Sequence, residues 1–269
     1  MKLWSDSWTN GDRIPVRYAA GKPDGKGGAT FSDNISPHLG WSDVPAGTKS
    51  LVLICHDFDV PSRGDDVNQS DREIPADLPR VDFFHWVLID LPPTPAEMAE
   101  GEFSRGFVAR GKPGPAARGG ARHGLNDYTG WFAGNADMAG QYFGYDGPFP
   151  PFNDSLVHHY VFTLYAVAVA HLPLEGVFTG AQGREKLAGR VLGEATVSGT
   201  YTLNQRLRQA RRLAVAGVVE RDVELALDAL LGVPRRLAVT QQEDARRVFH
   251  RRRGRRAQGA VASRRALSV

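Results

Sequence analysis

Residues 49–59 read KSLVLICHDFD, and the fold follows from how this run is taken. It is short, apolar and rich in β-branched residues, and Pro61 closes it, so it predicts a strand. FFHWVLIDLP (83–92) and YVFTLYAVAV (160–169) have the same character, with Pro, Gly, Asn and Asp clusters between them. Their near-continuous apolarity predicts central strands covered on both faces. ATFSDNISPHLGW (29–41) and ATVSGTYTL (195–203) predict further strands or their approaches. One helix is predicted in this body, over 181–193, where Leu187, Val191 and Leu192 fall near helical spacing and Gly193 supplies a stop.

The composition is that of an ordinary globular protein, 42% hydrophobic and 23% charged over 269 residues. No run of about 18 apolar residues occurs, so no integral membrane protein is expected. The N-terminus turns polar at once, and Cys55 has no second cysteine to pair with. Both features predict a reducing, cytoplasmic setting. Charge is divided unevenly. Residues 205–269 hold 16 Arg, no Lys and 6 Asp+Glu, a net of +10, which leaves residues 1–204 at −7 within the chain's +3. The expected organisation is therefore a folded domain over 1–204 and an Arg-rich extension over 205–269, partly helical or disordered. Nucleic acid is an expected partner only through that extension. Two polar or Gly-rich stretches, 61–82 and 110–141, are predicted as long loops outside the core.

Polar residues gather at strand ends beside stiff turns, where binding and catalytic sites are built. HDFDVPSR brings His56, Asp57, Asp59 and Arg63, FFHW brings His85, and GYDGPFPPFNDSLVHHY (144–160) brings His158, His159 and Tyr160. Three prolines and two glycines fix the shape of that last loop. In a strand His158 and His159 face opposite sides, so one of them at most joins a given pocket. His56, Asp57, His85 and His158 could serve as metal ligands, yet no HxH, HExxH or CxxC spacing supports a metal. There is no GxSxG and Cys55 lies in an apolar run, so no activated nucleophile is visible. An anion pocket fits these residues better, because histidine holds a proton near neutral pH and Gly/Pro turns expose backbone N–H groups. Anion affinity should then fall as pH rises through the titration of a pocket histidine. No cofactor is called for.

NISPHLGW, GTKSLVLICHDFDVPSR, FFHWVLIDLP and GYDGPFPPFNDSLVHHYVFTLYAVAV, in this order, resemble the phosphatidylethanolamine-binding protein family, in its bacterial Raf-kinase-inhibitor-like branch. The resemblance covers residues 1–204. It implies an antiparallel β-sandwich with few helices and a small cavity at one end for phosphate-like anions and phospholipid head groups. By motif position it implies ligand contacts from Asp57, Asp59, His85, Gly147, Pro148, Pro150, His158 and Tyr160, with Pro151 in the same Gly-Pro rim. It further implies a non-enzymatic binding protein, with modulation of a protein partner such as a kinase by analogy alone. A metal- or His-dependent hydrolase using the same pocket is the rival reading. The chain departs from the family pattern at Phe58, where D-P-D reads DFD, at His159, where H-R-Y reads HHY, and at Phe149 in the Gly-Pro rim.

Overall fold

The computed structural model describes residues 1–215, with side chains to Ala210. Three long strands make the centre: β5 (Ser50–Pro61), β6 (Arg80–Leu91) and β9 (His158–Val167). With β8 (Arg122–His123) and β10 (Val191–Tyr201) they form a five-stranded antiparallel sheet in the order β10-β9-β5-β6-β8. A three-stranded sheet of β1 (Lys2–Trp4), β4 (Leu39–Ser42) and β7 (Glu97–Met98) lies across from it. A hairpin of β2 (Gly21–Pro23) and β3 (Ala29–Phe31) stands apart.

Alternation sorts the central strands between two cores. Leu51, Leu53 and Cys55 of β5 face one way with Phe162 and Leu164 of β9, and pack against Leu39, Trp41 and Met98 of the smaller sheet. Val52 and Ile54 face the other way with Val87, Ile89 and Val167, and Leu172, Phe178 and Leu187 cover them. Both faces are buried, so the strands read as continuous apolar runs. The fold is the mainly β antiparallel sandwich expected, and Cys55 is a buried thiol within it.

Two expectations need correction. The helix predicted over 181–193 stops early: α2 spans Gly180–Glu185, started by a capping box in which Thr179 and Gln182 exchange hydrogen bonds. Gly189 then takes a left-handed φ of 72°, and Val191 pairs with Val167 as the first residue of β10. Strand pairing thus captures the apolar pair Val191 and Leu192 that helical spacing had claimed. The 110–141 stretch is also not wholly outside the core. It contributes β8, the short helix α1 (Tyr128–Trp131) and the buried side chains Ala121, His123 and Tyr128. A third helix, α3 (Gln205–Val215), follows Asn204. Met1–Arg208 forms one compact unit. The Arg-rich extension beyond residue 215 lies outside the described residues. No helix among the described residues is long and apolar enough to cross a membrane.

Candidate functional site

At the end of the central sheet Asp57 pairs with Tyr160 across β5 and β9, and both side chains are buried. They open onto a cavity of about 210 Å³ that His85 and His158 also line. His85 arrives through an irregularity. Cys55 pairs with Trp86 but His56 pairs with Phe84, so His85 is an extra residue in β6. Such a bulge re-aims a side chain. It brings His85 to the same side as Asp57 while Phe84 joins the opposite core.

From Asp57 and His158 in the cavity wall a chain of ion pairs runs back into the protein. His158 Nδ1 lies 2.7 Å from Asp57 Oδ2, and its Nε2 lies 3.0 Å from Asp154 Oδ2. Arg80 grips Asp154 with two nitrogens, at 2.6 and 3.1 Å, and donates further to the carbonyls of Asp59, Pro75 and Leu78. Two carboxylates, an imidazolium and a guanidinium cancel in formal charge. Burial alone would lower the His158 pKa, but the Asp57 charge and the hydrogen bonds to Asp154 and Asp57 outweigh it and raise it to about 9. Burial likewise opposes the ionisation of Asp57 and Asp154, yet their partners hold both below the usual carboxylate range.

His85 is the opposite case. Its Nδ1 lies 2.8 Å from the Asp146 carbonyl oxygen, which only accepts, so Nδ1 carries the proton and Nε2 is a bare acceptor. Burial pulls its pKa down to about 4. The Tyr160 hydroxyl is buried beside Asp57 without a well-formed hydrogen bond, and burial, followed by the charge and hydrogen bonding of Asp57, pushes its phenol well up. The expectation that a pocket histidine titrates near neutral pH is therefore overturned, since one is held charged and the other neutral. The walls are largely aromatic: Phe31, Phe83, Tyr128, Trp131, Phe132 and Phe149. No lysine or arginine lines the cavity among the described residues.

The stiff loop behaves as two parts. Phe149, Pro150 and Pro151 line the cavity. Gly147 and Pro148 sit behind it: the Pro148 carbonyl accepts from Ala20 and Gly21, and the Gly147 carbonyl accepts from the Tyr128 hydroxyl. A Cβ at Gly147 would lie 2.2 Å from the Tyr18 carbonyl oxygen, so only glycine fits. Asp59 is also outside the cavity lining. It takes His159 instead, through its backbone N–H at 2.8 Å and its Nδ1 at 2.9 Å. Phe58 stacks on that imidazole with ring centres 5.6 Å apart and planes within 6°. The departures at Phe58 and His159 are thus partners on the exposed side. His56 faces away from the cavity and neighbours Phe84 and Phe58, so the four-ligand metal set does not converge. No cluster suited to a metal ion occurs among the described residues. Arg63 is exposed and reaches only toward Asp65.

Sequence reasoning missed Asp154, Arg80 and Asn68. Asp154 lies four residues before His158 and read as part of the turn. Asn68 lines the cavity and, with Asn153, fastens the 61–82 loop to its wall: Asn68 N–H donates to Asn153 at 2.9 Å, and Asn68 accepts from Phe152 N–H at 3.1 Å.

Residues 4–202 match the family model for phosphatidylethanolamine-binding protein. The chain belongs to that family. Among its curated relatives is a UPF0098 protein of Aquifex aeolicus, 32% identical over 75% of this chain and 88% of the relative. The UPF0098 protein YbhB of Escherichia coli is 29% identical over 75% of this chain and all of the relative. The crystal structure of Escherichia coli YbcL shares the fold of this phosphatidylethanolamine-binding protein family member at a TM-score of 0.53 and 24% identity, covering 75% of this chain and 97% of YbcL.

Proposed function

We propose that this chain is a non-catalytic binding protein whose cavity takes a phosphate-bearing small molecule or phospholipid head group. Family membership supports binding in general. The observation that carries the ligand class is the Tyr160 hydroxyl, a buried donor beside Asp57 that lacks a well-formed hydrogen bond in the protein, at a cavity whose wall holds a charged imidazolium. A buried donor left unsatisfied costs about 1–3 kcal/mol, which an oxyanion would relieve. Asp57, His85, Pro150, His158 and Tyr160 form the contact set, with Gly147 and Pro148 shaping the wall from behind. Asp59 belongs to the exposed pair with His159.

Binding is favoured over hydrolysis by the state of the residues. Both ring nitrogens of His158 are committed to carboxylates, so it has no free position from which to move a proton. Among the described residues no Ser, Thr, Cys or Lys lines the cavity to act as nucleophile. The cytoplasm is the location this reading assigns, and modulation of a partner protein rests on the family resemblance alone. Equilibrium titration of the full chain with phosphoethanolamine is the test. Saturable binding weakened about tenfold or more by Tyr160→Phe is expected, the loss of one hydrogen bond to a charged group. The absence of saturable binding up to millimolar ligand would remove the reading.

A further inference from the structure

β10 is an outer strand of the large sheet and β1 of the small one, and the two lie next to each other at one flank of the sandwich. The chain's own N-terminal segment closes part of the β10 edge. The Ser198 carbonyl accepts from Gly11 N–H and Trp8 Nε1, both at 2.9 Å, and the Ser198 N–H donates to Asn10 Oδ1 at 2.8 Å. The Thr200 N–H donates to the Asp12 carbonyl, and its carbonyl accepts from Ile14 N–H. The register with β9 is unbroken from Glu194 to Tyr201, so by ladder alternation Glu194 and Thr196 turn their N–H and C=O groups to the same outer side. No described residue bonds them there. An open row of this kind is a template for another strand. Beside it lies a groove of about 390 Å³ that Val197 of β10 shares with Leu3, Trp4, Asp6 and Trp8. Trp4 packs on Gly40, where a Cβ would lie 2.6 Å from its indole, and stays 42% exposed. Asp6 is the one charged residue in the lining among the described residues. His38 Nδ1 lies 3.6 Å from its carboxylate but accepts from the Asp6 N–H, so it offers no proton there.

We propose that this flank docks an extended segment of another protein, added as a strand along Glu194 and Thr196 and carrying basic side chains at two positions three apart. Alternation sets the spacing. Val197 faces the same core as Trp8, whereas Glu194 pairs with Tyr165, which packs on the opposite core. A residue of the added strand opposite Glu194 meets its carboxylate. One three places along, opposite Val197, enters the groove. There an Arg or Lys finds the Asp6 carboxylate and the exposed Trp4 indole, an ion pair and a cation–π contact together. Glu194 also opposes the rival occupant, a second copy of this chain. Any two-fold pairing of β10 with itself over both residues sets the two Glu194 carboxylates opposite or diagonal to each other, which is unfavourable. The proposal is independent of what the cavity at the other strand ends binds.

The probe is the peptide Thr-Arg-Thr-Thr-Arg-Thr, blocked at both ends, which presents the same spacing whichever way the strand runs. Anisotropy of the fluorescently labelled peptide, titrated with the full chain at low ionic strength, should show saturable binding. The control Thr-Arg-Thr-Arg-Thr-Thr has equal charge but puts both Arg on one face, and should bind about fivefold more weakly. Thr196→Pro removes the outward N–H and leaves the bonds to β9 alone, a substitution edge strands tolerate, and should weaken binding about tenfold. Glu194→Lys, an exposed change, should weaken it about fivefold, and it carries the test if the proline variant does not fold. Exchange of the Thr196 amide, fast in the free chain, should slow when peptide saturates the protein. Both variants should keep the phosphoethanolamine affinity of the parent, which separates this proposal from the cavity reading. Equal affinity for the two peptides, affinity unmoved by the folded variants, or no saturable binding up to millimolar peptide would overturn the proposal. Dimerisation of the full chain that Thr196→Pro abolishes would give the edge to a second copy and overturn it as well.

Discussion

His158 Nδ1 lies 2.7 Å from Asp57 Oδ2, and neither side chain is exposed to solvent. A lone buried imidazolium would be intolerable, and so would a lone buried carboxylate. Each is stable because the other is present, and Asp154 and Arg80 complete the balance. The same contact commits Asp57 and His158 to each other at the cavity wall, so fold stability and ligand choice share these atoms.

Breaking that chain should be costly. His158→Ala leaves Asp57 and Asp154 buried without their shared cation, and a loss of about 3–5 kcal/mol of stability is expected. Asp154→Asn should cost less, because it removes one carboxylate and leaves Arg80 with its carbonyl partners. Urea denaturation of the two variants checks the order. A loss below about 1 kcal/mol for His158→Ala would show that the pair is not holding the sheet end together.

Stability should fall on both sides of about pH 6.5. His158 is raised from 6.5 to about 9, so its contribution is complete below the unfolded value and is lost as pH rises toward 9. His85 and His123 are lowered to about 4, chiefly by burial, so folding keeps them neutral and stability is lost as pH falls from 6.5 toward 4. Each limb is on the order of 3 kcal/mol per histidine. Chemical denaturation across pH 4–9 is the measurement, and His123→Phe should flatten the acid limb alone. An acid limb unchanged by that variant would refute the assignment.

The exposed pair should matter little. His159 is half exposed, and its contacts with Asp59 and Phe58 lie away from the cavity. His159→Ala is expected to cost about 1 kcal/mol or less and to leave phosphoethanolamine affinity unchanged. A clear affinity loss would place the Asp59 side of the strand pair in the binding site after all.

Truncation after Arg208 should leave the body intact. Met1–Arg208 is one compact unit, and it retains Asn204, which donates to the Asp154 carbonyl at 2.9 Å, and Arg206, which pairs with Glu73. An unchanged near-UV spectrum and a melting temperature within a few degrees of the full chain are expected. A cooperative loss of structure would show that the extension belongs to the core.

The sheet was legible because the two-sided core makes β5, β6 and β9 apolar throughout, and their ends carry the polar residues that mark a site. Asp57, His158 and Tyr160 were legible on alternation, given one of them. His85 was legible only through the family resemblance: alternation alone would leave it facing the other core, and the bulge opposite Cys55 and His56 turns it to the cavity. Asp154 and Arg80 were invisible for another reason. Their role is a tertiary charge balance over 74 residues of sequence, with no periodic signature. The helix over 181–193 failed because Val191 and Leu192 suit a strand edge as well as a helix face, and pairing with β9 decided it.

The most direct test is a crystal structure of the chain soaked with phosphoethanolamine near pH 5.5. The account predicts phosphorus in the cavity, with one oxygen within about 3 Å of Tyr160 Oη and another within that distance of Asp57 or His85 Nε2, and the Asp57–His158–Asp154–Arg80 chain unbroken. Phosphate density only outside the cavity, or an empty cavity at saturating ligand, would contradict it.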